Sequence, residues 1–165
     1  MRKAIVPGSF DPVTAGHVDI IRRASKIFDE VHAVVMVNAE KKNSGMFSPS
    51  ERLSILESAV CGIDGVKCAL CTGLASDYTK EQGIEYIVKG IRNSTDFDYE
   101  YSLAEIMKHF HEGIETVFIP ADPTLSYISS TYARERIRYG CDLSDIADTE
   151  TQKLIKEYFN KNNSI

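Results

Sequence analysis

The chain has 165 residues, 43% of them hydrophobic and 26% charged, with a formal net charge of −5. That size suits a single domain, 1–165, with a substantial core. The acidic balance argues against a broad nucleic-acid surface, and no apolar stretch approaches the roughly 18–20 residues of a membrane span.

The first strand candidate covers residues 3–7. It runs into Gly8-Ser9-Phe10-Asp11-Pro12-Val13-Thr14-Ala15-Gly16-His17 and then an amphipathic helix over 17–28, with Ile20, Ile21, Ala24, Ile27 and Phe28 on one face. A strand that ends in a Gly-containing turn and hands over to a helix places backbone N–H groups where an anion can sit. An imidazole (His17) and two hydroxyls (Ser9, Thr14) accompany them, with no acidic side chain between Asp11 and His17. This is a layout for nucleotide phosphates.

Further strands are expected at 30–37, 66–70, 86–88 and 116–119. The central ones are near-continuous apolar runs, as in strands covered on both faces. Helices are expected between them. One opens at Ser48-Pro49-Ser50-Glu51, a cap signal with proline in the first turn; others cover 75–82 and 97–111. The C-terminal part reads as helices over 130–139, 143–147 and 150–160. Its apolar stripe (Leu154, Ile155, Tyr158, Phe159) suits either the chain's own core or a subunit contact. Residues 1–3 lead into a short strand without a signal peptide's apolar region, so a cytoplasmic location is expected.

Alternating strands and helices predict a doubly wound parallel sheet with loops after the strands gathered at one edge. Those loops begin at Pro7, Asn38, Cys71, Lys89 and Pro120. They carry Gly16-His17, Lys41-Lys42, Lys89-Gly90-Ile91-Arg92 and Ile128-Ser129-Ser130-Thr131. Two helix N-termini, at 14–17 and 129–131, would then face one cleft. Each residue has a plainer reading. Thr14, Ser129 and Ser130 could be helix caps, Lys41 and Lys42 a solvated pair, and Arg92 a partner for Asp96 or Glu100. Cys68 and Cys71 have Cys-x-x-Cys spacing, but Cys61 and Cys141 stand apart and His109 and His111 fall in another helix. Reduced thiols are expected, and no metal-ligand set stands out.

Gly-Ser-Phe-Asp-Pro-Val-Thr-Ala-Gly-His (8–17) resembles the Thr-x-Gly-His form of the nucleotidylyltransferase signature, and Ile-Ser-Ser-Thr (128–131) resembles its second signature. Residues 86–92 and 96–100 are similar to the region peculiar to bacterial phosphopantetheine adenylyltransferases. The likeness spans about residues 3–139. It implies a Rossmann-like α/β fold, a five-stranded parallel sheet with helices on both faces and a helical C-terminus. It also implies transfer of adenylyl from ATP to 4′-phosphopantetheine with Mg²⁺, giving dephospho-coenzyme A and pyrophosphate in a homohexamer.

By the same likeness, His17 would donate to the α-phosphate, Lys41 would hold and align the acceptor phosphate, and Arg92 would favour the β- and γ-phosphates. ATP would also meet Ser9, Phe10, Gly90, Ile91, Glu100, Leu125, Ser126, Tyr127, Ile128, Ser129, Ser130 and Thr131. The acceptor would meet Ser9, Lys41, Lys89 and, along the pantetheine arm, Ala75. Two positions depart from the family pattern: Lys89 stands where arginine is usual, and Leu125 where many members have tryptophan. Sister cytidylyltransferases and nicotinate-mononucleotide adenylyltransferases more often carry His-x-Gly-His. A class I aminoacyl-tRNA synthetase fragment would need a tRNA-binding part, and a non-catalytic nucleotide-binding module remains the reading from a different class.

Overall fold

Five apolar segments pair as a parallel sheet in the order β3-β2-β1-β4-β5. The strands are β1 (Lys3–Gly8), β2 (Glu30–Met36), β3 (Val66–Cys71), β4 (Tyr86–Ile91) and β5 (Glu115–Pro120). Between and after them lie α1 (Ala15–Ala24), α2 (Pro49–Ala59), α3 (Ala75–Gln82), α4 (Ser94–Phe110), α5 (Ser130–Arg138) and α6 (Thr149–Asn163). The computed structural model describes residues 1–37 and 45–164. Lys41 and Lys42 therefore lie outside the described residues, as does Asn38.

Side-chain alternation explains the layering, because successive residues of a strand point to opposite faces. On one face Ala4, Val6, Val31, Ala33 and Val35 pack against Ile20 and Ile21 of α1, Ile55 and Leu56 of α2, and Ile155 of α6. On the other, Ile5, Val34 and Ile87 meet Tyr78 of α3 and Met107 of α4. Both faces are thus covered by helices, and the strands read as apolar runs for that reason. The same alternation separates Cys68 from Cys71: one belongs to each cluster, so the pair cannot chelate an ion from one face. Burial, helped by Glu57, pushes the Cys68 thiol up to about 11, which keeps it protonated.

The strand order reverses at β1, and there the sheet opens. β1 runs beside β2 for six residue pairs, from Lys3↔Glu30 to Gly8↔Val35. Beside β4 its register covers only Ala4↔Tyr86 and Ile5↔Ile87. Pairing stops two residues before Pro7, which has no N–H to continue a ladder. The carboxyl ends of β1 and β4 splay apart, leaving the crevice that open α/β sheets use for ligands.

Several expected boundaries move. The first helix starts at Ala15, so His17 sits inside its first turn, and it ends at Ala24 with Ser25 as its C-cap. Ile27 consequently lies beyond the helix and is 44% exposed. β4 extends to Ile91, so the fourth edge loop begins after that residue and not at Lys89. α4 starts at Ser94, because the Asn93 side chain accepts from the Asp96 N–H. Phe110, the last residue of α4, is 54% exposed. Residues 143–147 form a hydrogen-bonded turn and not a helix: Leu143 O accepts from the Ile146 and Ala147 N–H groups, and Asp148 then caps α6. Leu143 and Ile146 are both fully buried, which supplied the helical-looking signal.

Candidate active site

A cleft of about 460 Å³ occupies the gap between the ends of β1 and β4, closed on a third side by the start of α5. Its walls bring together Ser9, Phe10, His17, Lys89, Gly90, Arg92, Glu100, Leu125, Ile128, Ser129, Ser130 and Thr131. Three expected positions, Ile91, Ser126 and Tyr127, are not among its lining residues. Ala75 lines a neighbouring, largely apolar cavity of about 650 Å³ between α3 and α4. Ser9, Lys89, Tyr99 and Glu100 line both spaces, so the two cavities adjoin.

His17 is held by a helix cap. The Thr14 N–H donates to His17 Nδ1 at 3.1 Å, and Thr14 Oγ1 lies 2.9 Å from the same nitrogen. Imidazole here plays the part that Glu or Gln plays in a capping box. A nitrogen that accepts a backbone N–H carries no hydrogen, so the neutral ring bears its proton on Nε2. Burial, with Arg92 as the second cause, lowers the His17 pKa from 6.5 to about 4. At neutral pH the residue is therefore an uncharged donor.

Phe10 sets the other side of the ring. Its edge meets the His17 ring with centroids 5.2 Å apart, and its backbone sits at φ +43. A Cβ on Gly8 would come within 3.1 Å of the Phe10 ring, so glycine at that position serves packing against Phe10. The first loop is fastened to α5 from two directions: Ser130 Oγ donates to Pro12 O at 2.9 Å and Arg134 Nη1 to Asp11 O at 2.8 Å. It is fastened to the stretch before α2 as well. The Asp11 carboxylate accepts from the Met46 and Phe47 N–H groups, both at 3.0 Å, and pairs with Arg52 at 3.3 Å. Gly45 leaves room for that pair, since a Cβ there would fall 1.8 Å from Arg52 Nη2.

The two helix N-termini contribute differently. Ala15 N–H, the first amide of α1, donates to Ile146 O at 2.6 Å, so that end is partly satisfied by protein. What α1 brings to the cleft is the imidazole. α5 has Ser129 as its cap, accepting from Tyr132 N–H at 3.1 Å, and Ser130 and Thr131 form the first turn on the cleft wall. Among the cations, Lys89 Nζ is 2.9 Å from Glu100 Oε2, and Arg92 forks onto Asp96 with contacts of 2.7 and 3.2 Å. Arg92 is thus both an ion-pair member and a cleft residue.

Arg134, Asp11 and Arg52 carry no expected role, although Arg134 follows Thr131 by one helical turn and could have been found by that spacing. No signal in the sequence links Asp11 to Arg52. Among the described residues no three His, Cys, Asp or Glu side chains are grouped to hold a metal ion.

The profile of cytidylyltransferase-like proteins matches residues 5–136. The chain is 44% identical over 161 residues to the phosphopantetheine adenylyltransferase of Clostridium novyi, covering 98% of this chain and 97% of that one. It is 45% identical over 157 residues to the phosphopantetheine adenylyltransferase of Corynebacterium diphtheriae, covering 95% and 98%. A solved structure from Vibrio parahaemolyticus, assigned as a nicotinate-nucleotide adenylyltransferase, matches with a TM-score of 0.65 at 17% identity, over 94% of this chain and 99% of that one. That last likeness is one of fold alone. With near-half identity along almost its whole length, the chain belongs to the phosphopantetheine adenylyltransferase family of the cytidylyltransferase-like proteins.

Proposed function

We propose that the protein transfers the adenylyl group of ATP to 4′-phosphopantetheine, releasing pyrophosphate and dephospho-coenzyme A, a step of coenzyme A synthesis. The observation that carries this reading is a neutral imidazole, fixed as the Nε2–H tautomer by Thr14, in one cleft with Arg92 and the start of α5.

The acceptor phosphate is already an anion, so the reaction needs no protein nucleophile. Its barrier lies in bringing two polyanions together and in charge building on the α-phosphate and the departing pyrophosphate. Positioning and fixed donors address both. His17 Nε2–H donates to the α-phosphate as its charge rises. Ser129, Ser130 and Thr131, with the amides at the start of α5, receive the triphosphate, and Arg92 takes the β- and γ-phosphates. Phe10, Gly90, Leu125 and Ile128 surround the nucleotide, and Glu100 touches it.

The acceptor phosphate is held by Ser9, Lys89 and Lys41, and its pantetheine arm runs past Ala75 into the apolar cavity. Mg²⁺ suits this donor set as an ion carried on the phosphates of ATP, because Asp96 and Glu100 each face a protein cation. Bound there, it would neutralise charge on the leaving pyrophosphate.

The chain acts as one nucleotidylyltransferase domain, in the cytoplasm, and assembles as a homohexamer. Exposed Tyr99, Ile106 and Phe110 on α4 support self-association, and light scattering tests it. No helix of the described residues is long and apolar enough to cross a membrane.

The decisive experiment is pyrophosphate release with ATP, Mg²⁺ and 4′-phosphopantetheine, with CTP and other phosphorylated acceptors in parallel and His17→Ala as control. Release that needs ATP and phosphopantetheine together, and collapses in the variant, is expected. Turnover only with another pair would move the chain to a sister activity.

A further inference from the structure

We propose that Asp96 is a positioning residue for the triphosphate of ATP, acting through Arg92; this rests on the adenylyl-transfer reading above. A carboxylate on the wall of a cleft that collects polyphosphate repels the ligand, so its presence calls for a compensating role. The geometry supplies one. Asp96 Oδ2 accepts from Arg92 Nε at 2.7 Å and Oδ1 from Nη2 at 3.2 Å, a side-on fork. Its Oδ2 also lies 3.3 Å from the Arg92 backbone N–H, so one carboxylate grips both ends of the residue.

The carboxylate is itself fixed. Asp96 stands in the first turn of α4, and its N–H donates to the Asn93 side chain at 2.9 Å. The Arg92 hydrogen bond, above all, holds its carboxyl below the usual carboxylate range, so the fork persists through neutral and mildly acid pH. A guanidinium has five donors, and this fork uses two of its side-chain N–H groups, leaving the Nη1 edge for phosphate oxygens. An arginine held before the ligand arrives loses less rotamer freedom on binding than a free one. Placement outweighs repulsion, and the sign of the effect of removing the charge follows from that.

Calorimetric titration of ATP into the full chain tests this with wild type, Asp96→Asn, Arg92→Ala and the double variant, beside titrations of 4′-phosphopantetheine. If Asp96 places Arg92, Asp96→Asn weakens ATP binding by about tenfold, the scale of one aligned charged hydrogen bond. Acceptor affinity then stays at the wild-type value, and adding Asp96→Asn to Arg92→Ala costs nothing further. If Asp96 is only a nearby negative charge, Asp96→Asn binds ATP equally or more tightly, and the proposal falls. A loss of equal size in the Arg92→Ala background would mark a purely structural role and would also overturn it. Wild-type protein that binds no ATP at all would remove the adenylyl-transfer reading and this inference together.

Discussion

His17 links the chemistry of the cleft to the acid stability of the fold. Its pKa falls from 6.5 to about 4 in the folded chain, by burial first and the charge of Arg92 second. Between those two values the unfolded chain binds a proton that the folded chain refuses. Stability contributed by this residue is therefore fully present above pH 6.5 and is lost as the pH falls toward 4. Integrating the linkage between pH 7 and 4.5 gives a loss of roughly 2 kcal/mol attributable to this one ring. Urea denaturation of wild type and His17→Gln at both pH values measures it as a difference of differences, because every other titrating group is common to the two. The ring can also be followed directly by proton–nitrogen NMR, which reports the Nε2–H tautomer at neutral pH. Arg92→Ala is expected to raise the pKa while leaving it below 6.5, since burial is the larger cause. A ring that titrates near 6.5, or an acid loss that survives unchanged in His17→Gln, would refute the reasoning.

Three further outcomes follow from packing and charge. Gly90→Ala places a Cβ 2.8 Å from Ile20 Cγ1. It is expected to cost about 1–3 kcal/mol in thermal stability, and to lower kcat by shifting the helix that carries His17; an unchanged kcat would show that α1 does not move. Asp11→Asn strips the charge from a pair whose side chains are only 8–9% exposed. Denaturation should show a loss of about 3–5 kcal/mol, and a loss below about 1 kcal/mol would mean Arg52 finds another partner. Lys89→Arg supplies a forked donor next to Glu100. Steady-state kinetics should show a several-fold lower KM for 4′-phosphopantetheine with the KM for ATP unchanged, and the opposite split would place Lys89 on the nucleotide.

Periodicity located all five strands, because a parallel sheet covered on both faces leaves an apolar signature that no other element of this chain imitates. It failed where burial came without a helix: Leu143 and Ile146 are at core positions in a single turn. It failed again at the ends of α1 and α4. There polar caps, Thr14 and Asn93, set the starts at Ala15 and Ser94, ahead of the expected 17 and 97. The pairings that fasten the first loop to α5 were not legible. Ser130 with Pro12 and Arg134 with Asp11 join residues 118 and 123 positions apart. Their loop partners, Pro12 and Asp11, follow no period, so nothing in the order of the residues announces these pairings.

The plain and the functional readings of Thr14, Ser129 and Arg92 are not rivals in the folded chain. Thr14 is a cap, and because its N–H is satisfied by an imidazole the hydrogen of His17 must sit on Nε2. A glutamate in that position would satisfy the same amide and bring a repelling charge to the cleft. Ser129 caps α5 by taking the Tyr132 N–H, which leaves the first-turn residues Ser130 and Thr131 on the cleft wall. Arg92 pairs with Asp96 along one edge of its guanidinium and lines the cleft as well. In each case one bond inside the protein decides which donor is left over for a ligand. Substitutions that preserve the cap but change the leftover donor, such as His17→Gln, should therefore retain the fold at neutral pH and lose turnover, and those two quantities are separable by melting and by pyrophosphate release.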